Sequence, residues 1–261
     1  MNEGCGRKIR AKDADLWALM EDKADKWLRD APVAERKSLQ QTLKATRRAH
    51  PVEYPCCTII HGDCTKHLVN LPDRCFDLCV TDPPYGMHIR TWQKHHERVT
   101  WDSKYPVVNV RRMIDLARLG SYFFCRWDNL KENLTLPKPK SMLVWTKQVA
   151  QGTGDCLHEH FRDYEMAYFY LGDRKQHKFK KRPPSVLSFR PPGNDAHPTQ
   201  KPVGLIQEIL GWYDFETVLD PYMGSGTTAL AAKELGKHFL GFEANKKYFN
   251  RAILSIAQIG K

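Results

Sequence analysis

The sequence has no long apolar run, and this absence removes whole classes of protein. None of the 261 residues lies in a stretch approaching the ~18 apolar residues that a membrane span needs. The first fifteen residues, MNEGCGRKIRAKDAD, lack the apolar region of an export signal. We therefore expect a cytoplasmic protein without a membrane partner.

The cysteines lack the spacing of a metal site. Eight are present, but no Cys-x-x-Cys pair occurs and the spacings follow no zinc-ribbon pattern. Several lie inside apolar runs such as FDLCV and SYFFC, where a reduced cysteine behaves as a small buried hydrophobe. We expect free thiols and no bound metal.

Negative charge is also scarce, since the formal net charge is +11. A strongly basic composition favours a polyanionic partner, most simply nucleic acid. A basic surface kept for solubility is the alternative. The densest basic run, KFKKRPP, lies in a segment rich in proline, which suits a loop laid along a phosphate backbone. The residues of this run that we predict to contact DNA are Lys178, Lys180, Lys181 and Arg182.

The chain divides into a polar, helical extension over residues 1–52 and an α/β domain over 53–261. Short apolar runs alternate with helical patterns in the second part, which predicts a mostly parallel, Rossmann-like sheet with helices on both faces. Basic insertions at 86–106 and 172–202 interrupt the pattern. The predicted strands are CTIIHGD, FDLCVTD, SYFFC, SMLVWT, EMAYFYL, TVLDP and HFLGFE, and the predicted helices are 107–119, 203–212, 227–235 and 245–259, with Gly120 and Gly236 as C-caps.

One strand–turn–helix unit, LDPYMGSGTTALAAKELGKHFLGFE, has the properties of a nucleoside-cofactor site. The Gly224-Ser225-Gly226 turn brings backbone N–H groups close to a ligand at the start of a helix. The acid Glu243 follows 243 − 224 = 19 residues later, near the ~20 residues that separate such a turn from a ribose-binding acid. The turn lacks the third glycine of G-x-G-x-x-G and the P-loop lysine, so ATP binding by that route is not supported.

The stretch VTDPPYGM ends another apolar run with an acid, two prolines and an aromatic. It is either a proline turn or a site for a flat polar ring. Four blocks occur in one order: HGD at 61–63, DPPY at 82–85, HPTQKP at 197–202 and DPYMGSGTT at 220–228. In these blocks the chain resembles the S-adenosylmethionine-dependent DNA amino-methyltransferases, in the permuted β-class order. The resemblance covers residues 54–261.

The resemblance implies methyl transfer to an exocyclic amine of a base that is flipped out of double-stranded DNA. Such an amine is a weak nucleophile, so acceptors on its N–H groups should raise its reactivity. Asp82 would supply a carboxylate and Pro83 a backbone carbonyl, while Pro84 helps to fix the turn. Tyr85 would supply a face on which the base stacks.

The resemblance also implies a set of cofactor contacts. Tyr222 replaces the usual Phe of the F-x-G-x-G loop, and its hydroxyl then needs a partner. In the H-P-x-x-K-P block, the lysine region would line the methionine end of the cofactor, although a solvated helix-start loop is the rival interpretation. That block contains His197, Pro198, Lys201 and Pro202, and the full predicted cofactor set is Asp63, Lys201, Asp220, Tyr222, Gly224, Ser225, Gly226, Thr227 and Glu243.

Adenine N6 is the preferred target, because the motif begins with Asp where N4-cytosine relatives more often carry Ser. That preference rests on the resemblance, so N4-cytosine stays open, as does N6-adenine in RNA. A catalytically silent nucleic-acid-binding protein is the non-enzymatic alternative. The recognition sequence, the oligomeric state (a dimer is compatible) and the existence of a companion endonuclease of restriction-modification are not encoded in any motif that we identify.

Overall fold

The computed structural model describes residues 52–54, 57–86, 105–126, 129, 134–148, 158, 160, 163–192 and 200–258. The predicted helical extension therefore lies outside the described residues, except for Val52. The same is true of 87–104 in the first basic insertion and of His197 and Pro198 in the second. Within the described ranges, no helix combines the length and the apolar character that crossing a bilayer requires.

The described residues build one nine-stranded mixed sheet. Its spatial order is β1-β2-β9-β8-β3-β4-β6-β5-β7. The five neighbours from β2 to β4 run parallel, whereas β1 and β6 are antiparallel to their partners. The strands are β1 (Val52–Tyr54), β2 (Cys57–His61), β3 (Phe76–Thr81), β4 (Ala117–Cys125), β5 (Ser141–Thr146), β6 (Tyr164–Leu171), β7 (Val186–Ser188), β8 (Thr217–Asp220) and β9 (His238–Glu243).

Helices cover both faces of this sheet, as the alternating sequence pattern predicts. The helices are α1 (Thr65–Leu68), α2 (Val107–Leu116), α3 (Val203–Gly211), α4 (Thr227–Glu234) and α5 (Lys246–Gln258). One apolar cluster packs α3, α4 and α5 on one face, and a second packs α1 and α2 on the other. Strand β3 contributes to both, since Leu78 and Val80 face the first cluster and Cys79 faces the second. The predicted α/β Rossmann-like class is confirmed.

Most element boundaries agree with the sequence within a residue or two, and the caps explain why. Asn245 accepts hydrogen bonds from the amides of Lys247 and Tyr248 and so starts α5. Gly236 has φ +66° beyond α4, and its N–H and that of Lys237 donate to the carbonyls of Lys233 and Ala232. This is a Schellman ending, which confirms the predicted C-cap.

One predicted helix is wrong at its end. Helix α2 stops at Leu116, and the following residues, including Gly120, belong to β4. Gly120 is therefore a strand residue and not a helix C-cap. A Cβ there would lie 2.6 Å from the Phe169 ring of β6, so close packing between strands requires the glycine. Strands β1 and β7 and the short helix α1 were absent from the predicted set.

The strand order also fixes where a ligand can bind. The chain leaves β3 toward β4 on one side and leaves β8 toward β9 on the other. Strands β3 and β8 are neighbours, with Cys79 opposite Leu219. Their carboxyl ends therefore flank a topological switch point, where open α/β sheets form a ligand crevice.

Candidate active site at the carboxyl end of the sheet

A cavity of about 390 Å³ opens at this switch point. Its size falls in the range of small-molecule sites. Both candidate motifs reach it, because β3 continues into the DPPY turn and β8 continues into the Gly-Ser-Gly turn. Its lining includes nearly all the predicted site residues within the described chain: Asp63, Asp82, Pro83, Pro84, Tyr85, Lys201, Asp220, Tyr222, Gly224, Ser225, Thr227 and Glu243.

The Gly-Ser-Gly turn has a backbone that glycine permits and other residues resist. Gly224 has φ +54° and Gly226 has φ +89°, both in the left-handed region. A Cβ on Gly226 would also lie 3.1 Å from the Cβ of Ala252 in α5. The second glycine is thus required by helix packing as well as by its dihedral angle.

Asp220 anchors the start of the turn through hydrogen bonds. This carboxylate is buried and accepts hydrogen bonds from the Thr81 hydroxyl (2.6 Å) and the Tyr222 amide (3.1 Å). Burial raises the pKa of Asp220 to about 6, and these hydrogen bonds oppose the shift. Asp220 thereby ties the end of β3 to the start of the turn.

Glu243 links the turn to the residue that starts α5. Its Oε2 accepts from the Gly224 amide at 3.0 Å, and its Oε1 accepts from the Asn245 amide at 2.6 Å. Burial raises the pKa of Glu243 to about 7 despite these two hydrogen bonds. A carboxyl group in this state favours a ligand that brings further donors, as the hydroxyls of a ribose do.

The Tyr222 hydroxyl has the partner that the sequence predicted it to need. The Asn109 side-chain amide of α2 donates to it at 2.8 Å and to the Thr65 hydroxyl at 3.0 Å. The Asp63 carboxylate accepts from the Thr65 amide (2.9 Å) and hydroxyl (2.7 Å). Asp63 therefore fixes the chain two residues before the first residue of α1, Thr65, and its side chain lines the cavity.

In the DPPY turn, both carboxylate oxygens of Asp82 already have donors. The Tyr85 hydroxyl donates to Oδ1, and the Lys201 ammonium donates to Oδ2. The Asn129 side chain holds the Tyr85 carbonyl at 2.8 Å. Burial raises the pKa of Asp82, whereas the Lys201 ammonium acts in the opposite direction.

Lys201 lines the cavity at the DPPY turn. It contacts Asp82 rather than the glycine turn, and its Nζ is also 3.0 Å from Oε2 of Glu165 in β6. The aromatic rings of Phe124 and Tyr85 lie 5.0 and 5.9 Å from the same atom. Burial lowers the pKa of Lys201, but the two carboxylates outweigh it and raise this pKa to about 12.

Sequence reasoning missed several polar residues that shape the site. Glu165 and Asn129 support the DPPY turn, and Asn109 supports Tyr222. Each comes from a segment without a motif, and only the packing of the sheet and helices brings it to a residue that lines the cavity. The one available signal was an acid at the start of an apolar strand, EMAYFYL, which is also common in ordinary strands. Across the described ranges, no group of three or more His, Cys, Asp or Glu side chains is arranged to hold a metal.

The basic run lies at the opposite end of the sheet. The Lys180 amide donates to the Trp212 carbonyl, and the Phe179 ring packs 5.1 Å from that of Tyr213. Both partners precede the start of β8. Strand β8 has four residues and spans about 13 Å, and the cavity lies beyond its other end, so this run is remote from the cavity. Its cationic side chains, Lys178, Lys180, Lys181 and Arg182, are all exposed.

The fold and the site together define a class, that of Rossmann-like methyltransferases. Residues 144–254 match the DNA methylase family. This similarity extends over 111 of the 261 residues, a stretch that contains the Gly-Ser-Gly turn and Glu243.

Two relatives that are named as methyltransferases are similar to a larger part of the chain. The chain is 27% identical over 248 residues to the DNA adenine methyltransferase YhdJ of Escherichia coli (strain K12), covering 75% of this chain and 81% of that protein. It is 25% identical over 252 residues to the type II methyltransferase M.HinfI of Haemophilus influenzae, covering 77% and 68%.

Two solved structures share the fold. The complex of M1.HpyAVI with SAM has a TM-score of 0.56 at 24% identity and covers 76% of this chain and 99% of that one. The PvuII cytosine-N4-specific DNA methyltransferase has a TM-score of 0.60 at 13% identity and covers 78% and 88%.

Proposed function

We propose that this protein transfers a methyl group from S-adenosylmethionine to the exocyclic N6 of an adenine in DNA. The observation that carries the proposal is the meeting of two motifs at one cavity. The DPPY turn with Asp82 and the Gly-Ser-Gly turn with Glu243 come from distant parts of the chain and line the same 390 Å³ space.

The residues around the glycine turn fit a nucleoside with a positively charged tail. Glu243 and Asp63 offer carboxylates to ribose and adenine-side donors, and Tyr222 offers an aromatic face. The acids Asp220 and Asp82 give this cavity a negative character that suits a sulfonium. When bound, the cofactor supplies an electrophilic methyl group.

The DPPY turn supplies acceptors for the target amine. The carboxylate of Asp82 and the carbonyl of Pro83 stand in a turn whose φ angles the prolines restrict. Acceptors fixed in this way stabilise the positive charge that develops on an attacking nitrogen. The target base has to leave the duplex to reach them.

Adenine is favoured over cytosine by the Asp at position 82 and by the relative named as a DNA adenine methyltransferase. Cytosine N4 is the second candidate, since the PvuII cytosine-N4 enzyme shares the fold. RNA adenine is a third target that the basic composition does not distinguish from DNA.

The deciding experiment combines binding with product analysis. Titration calorimetry measures cofactor binding by the protein alone. Parallel incubations with methyl-labelled cofactor and either unmethylated genomic DNA or cellular RNA, followed by nucleoside analysis, then identify the product. We expect N6-methyladenine. N4-methylcytosine would change the target base, label in RNA alone would change the polymer, and cofactor binding without any transfer would contradict the proposal.

A further inference from the structure

The DPPY turn lies at one end of a chain of charged side chains that are buried or half-buried. Lys201 lies between Asp82 and Glu165, and Glu165 in turn lies 2.8 Å from the ammonium of Lys147. The signs alternate from Asp82 through Lys201 and Glu165 to Lys147. The Lys201 side chain is only 5% exposed, so little of it can be solvated by bulk water.

This arrangement restricts the role proposed for Asp82, because two of the roughly four acceptor sites of its carboxylate are already used. A carboxylate that activates an amine has to accept one of its N–H groups. In the structure, the Tyr85 hydroxyl and the Lys201 ammonium already donate to the two oxygens of that carboxylate. The ammonium is itself a nitrogen donor on Oδ2, which is the kind of bond that an incoming amine would make.

We propose that Glu165 is a positioning residue that receives the Lys201 ammonium when the target amine takes its place on Asp82. This inference rests on the proposed function and extends it to a residue outside every recognised motif. The ammonium needs little movement, because Nζ is already 3.0 Å from Oε2 of Glu165. The ammonium thereby loses its contact with Asp82 and keeps a closer one with Glu165.

The fold places Glu165 for this role. Strand β6 runs antiparallel to β4 and β5, so its first residues lie at the carboxyl end of the parallel strands. Glu165 stands opposite Trp145 at the end of β5. The Lys201 and Lys147 ammonium groups outweigh the effect of burial and lower the pKa of Glu165, so it is an anion when the ammonium arrives.

The charged and titratable groups that face Asp82 come from several elements. They are Lys201 before α3, Glu165 on β6, Asp220 on β8, the Tyr85 hydroxyl in the turn itself and the Cys125 thiol at the end of β4. Lys201 is the one cation in this group, considering the part of the chain that the structure describes. Changes at Lys201 and Glu165 should therefore move the titration of Asp82 in opposite directions.

The first test is the substitution Glu165→Gln, assayed on unmethylated genomic DNA with the full chain. Lys201 then keeps Asp82 as its one carboxylate partner and competes with the target amine. We expect turnover to fall about 10- to 100-fold, the size of effect that a misplaced reacting group produces. Cofactor affinity, measured by calorimetry, should stay within about twofold of the wild-type value, because Glu165 does not line the cavity.

The pH dependence separates positioning from a structural defect. On the acid side of the pH–rate profile, turnover falls as Asp82 becomes protonated; we call this the acid limb. Glu165→Gln removes a negative neighbour and so lowers the pKa of Asp82, and the acid limb should shift to lower pH. With Lys201→Met it should shift to higher pH, since the positive neighbour is gone. Shifts in the same direction, or no shift in either variant, would overturn the proposal.

A double-mutant cycle gives a second criterion. If Glu165 acts through Lys201, the double variant E165Q/K201M should be no slower than K201M alone. Additive losses would show that Glu165 acts by another route. Glu165→Asp keeps the charge but shortens the side chain by one methylene, so it should fold normally and still lose most of the turnover.

Glu216→Gln is the matched control, because this exposed glutamate pairs with Lys237 at the far end of the sheet. It should leave turnover, cofactor affinity and the acid limb unchanged. A wild-type protein that binds cofactor but transfers no methyl group would refute the proposed function, and this inference with it. Full turnover in E165Q beside an active wild type would refute the inference alone.

Discussion

At the scale of single residues, Asp82 is the group that we propose to activate the target amine, and its environment is unusual for a carboxylate. It is held by two donors from its own chain, one of them the Lys201 ammonium. The same buried ion pair that fixes the carboxylate also competes with a substrate amine. Removing Lys201 should therefore be costly, since it leaves Asp82 without its cationic partner, whereas Lys201 keeps Glu165 as a counter-ion when Asp82 is removed.

Substitution of Asp82 by Ala should abolish methyl transfer while cofactor binding stays near normal. The isosteric Asp82→Asn variant should lose at least about 100-fold, comparable to removal of one preorganised polar group in other enzymes. Transfer is measured with labelled cofactor and DNA, and binding is measured by calorimetry. Equal loss of both properties would assign Asp82 to folding.

Glu243 should make cofactor binding depend on pH. The pKa of Glu243 is raised to about 7 in the free protein, and ribose hydroxyls would hydrogen-bond its ionised form. Binding should therefore lower this pKa and release a proton below pH 7, so affinity should rise with pH up to about 7 and then level off. Calorimetry in buffers of different ionisation enthalpy measures the released proton.

Glu243→Gln should bind the cofactor more weakly and release no proton. The control is again Glu216→Gln, which should match the wild type. Unchanged proton release in Glu243→Gln would exclude Glu243 as the titrating group and point to Asp220, the other raised carboxyl at the turn.

At the scale of elements, the glycine turn between β8 and α4 unites backbone strain and packing. Gly224 and Gly226 both have positive φ, but a Cβ on Gly224 meets no atom within 4 Å, whereas one on Gly226 meets Ala252 of α5. Glycine is therefore required at position 224 for its backbone conformation alone. At position 226 it is required for its backbone conformation and for the space that α5 leaves.

Gly226→Ala should destabilise the protein more than Gly224→Ala. The left-handed conformation costs about 1–2 kcal/mol in either variant, and crowding against α5 should add about 1 kcal/mol or more to Gly226→Ala. Urea unfolding monitored by circular dichroism measures the difference in the free energy of unfolding.

Gly211→Ala is the control for this pair. Gly211 is the last residue of helix α3, and a Cβ there meets nothing within 4 Å. Alanine should be neutral or stabilise by up to about 1 kcal/mol. Equal destabilisation by the Gly224 and Gly226 variants would show that α5 yields to the added methyl group.

At the scale of the whole molecule, the cavity and the basic run occupy opposite ends of the sheet. The cationic side chains of the run are exposed, and its Phe179 packs on Tyr213. Any phosphate that it contacts therefore lies away from the target base.

Replacement of Lys178, Lys180, Lys181 and Arg182 by Ala should weaken DNA binding and flatten its salt dependence. Each lost phosphate contact reduces the slope of log K against log salt by about 0.9. Turnover at saturating DNA should not change, because none of the four lines the cavity. An unchanged slope would remove this run from the DNA-binding surface.

The sequence by itself determined the α/β class, most strands and the two motifs, because alternation, caps and glycine turns are encoded within a few neighbouring residues. It also placed Glu243 at the correct separation from the turn. It misjudged Gly120, whose need for glycine comes from Phe169 on another strand.

Tertiary structure alone decided that β3 and β8 are neighbours, that Lys201 lies on Asp82, and that Glu165 and Asn109 support the site. It also decided that the basic run faces away from the cavity. These contacts join residues tens of positions apart, and strand order, which no local pattern records, sets them.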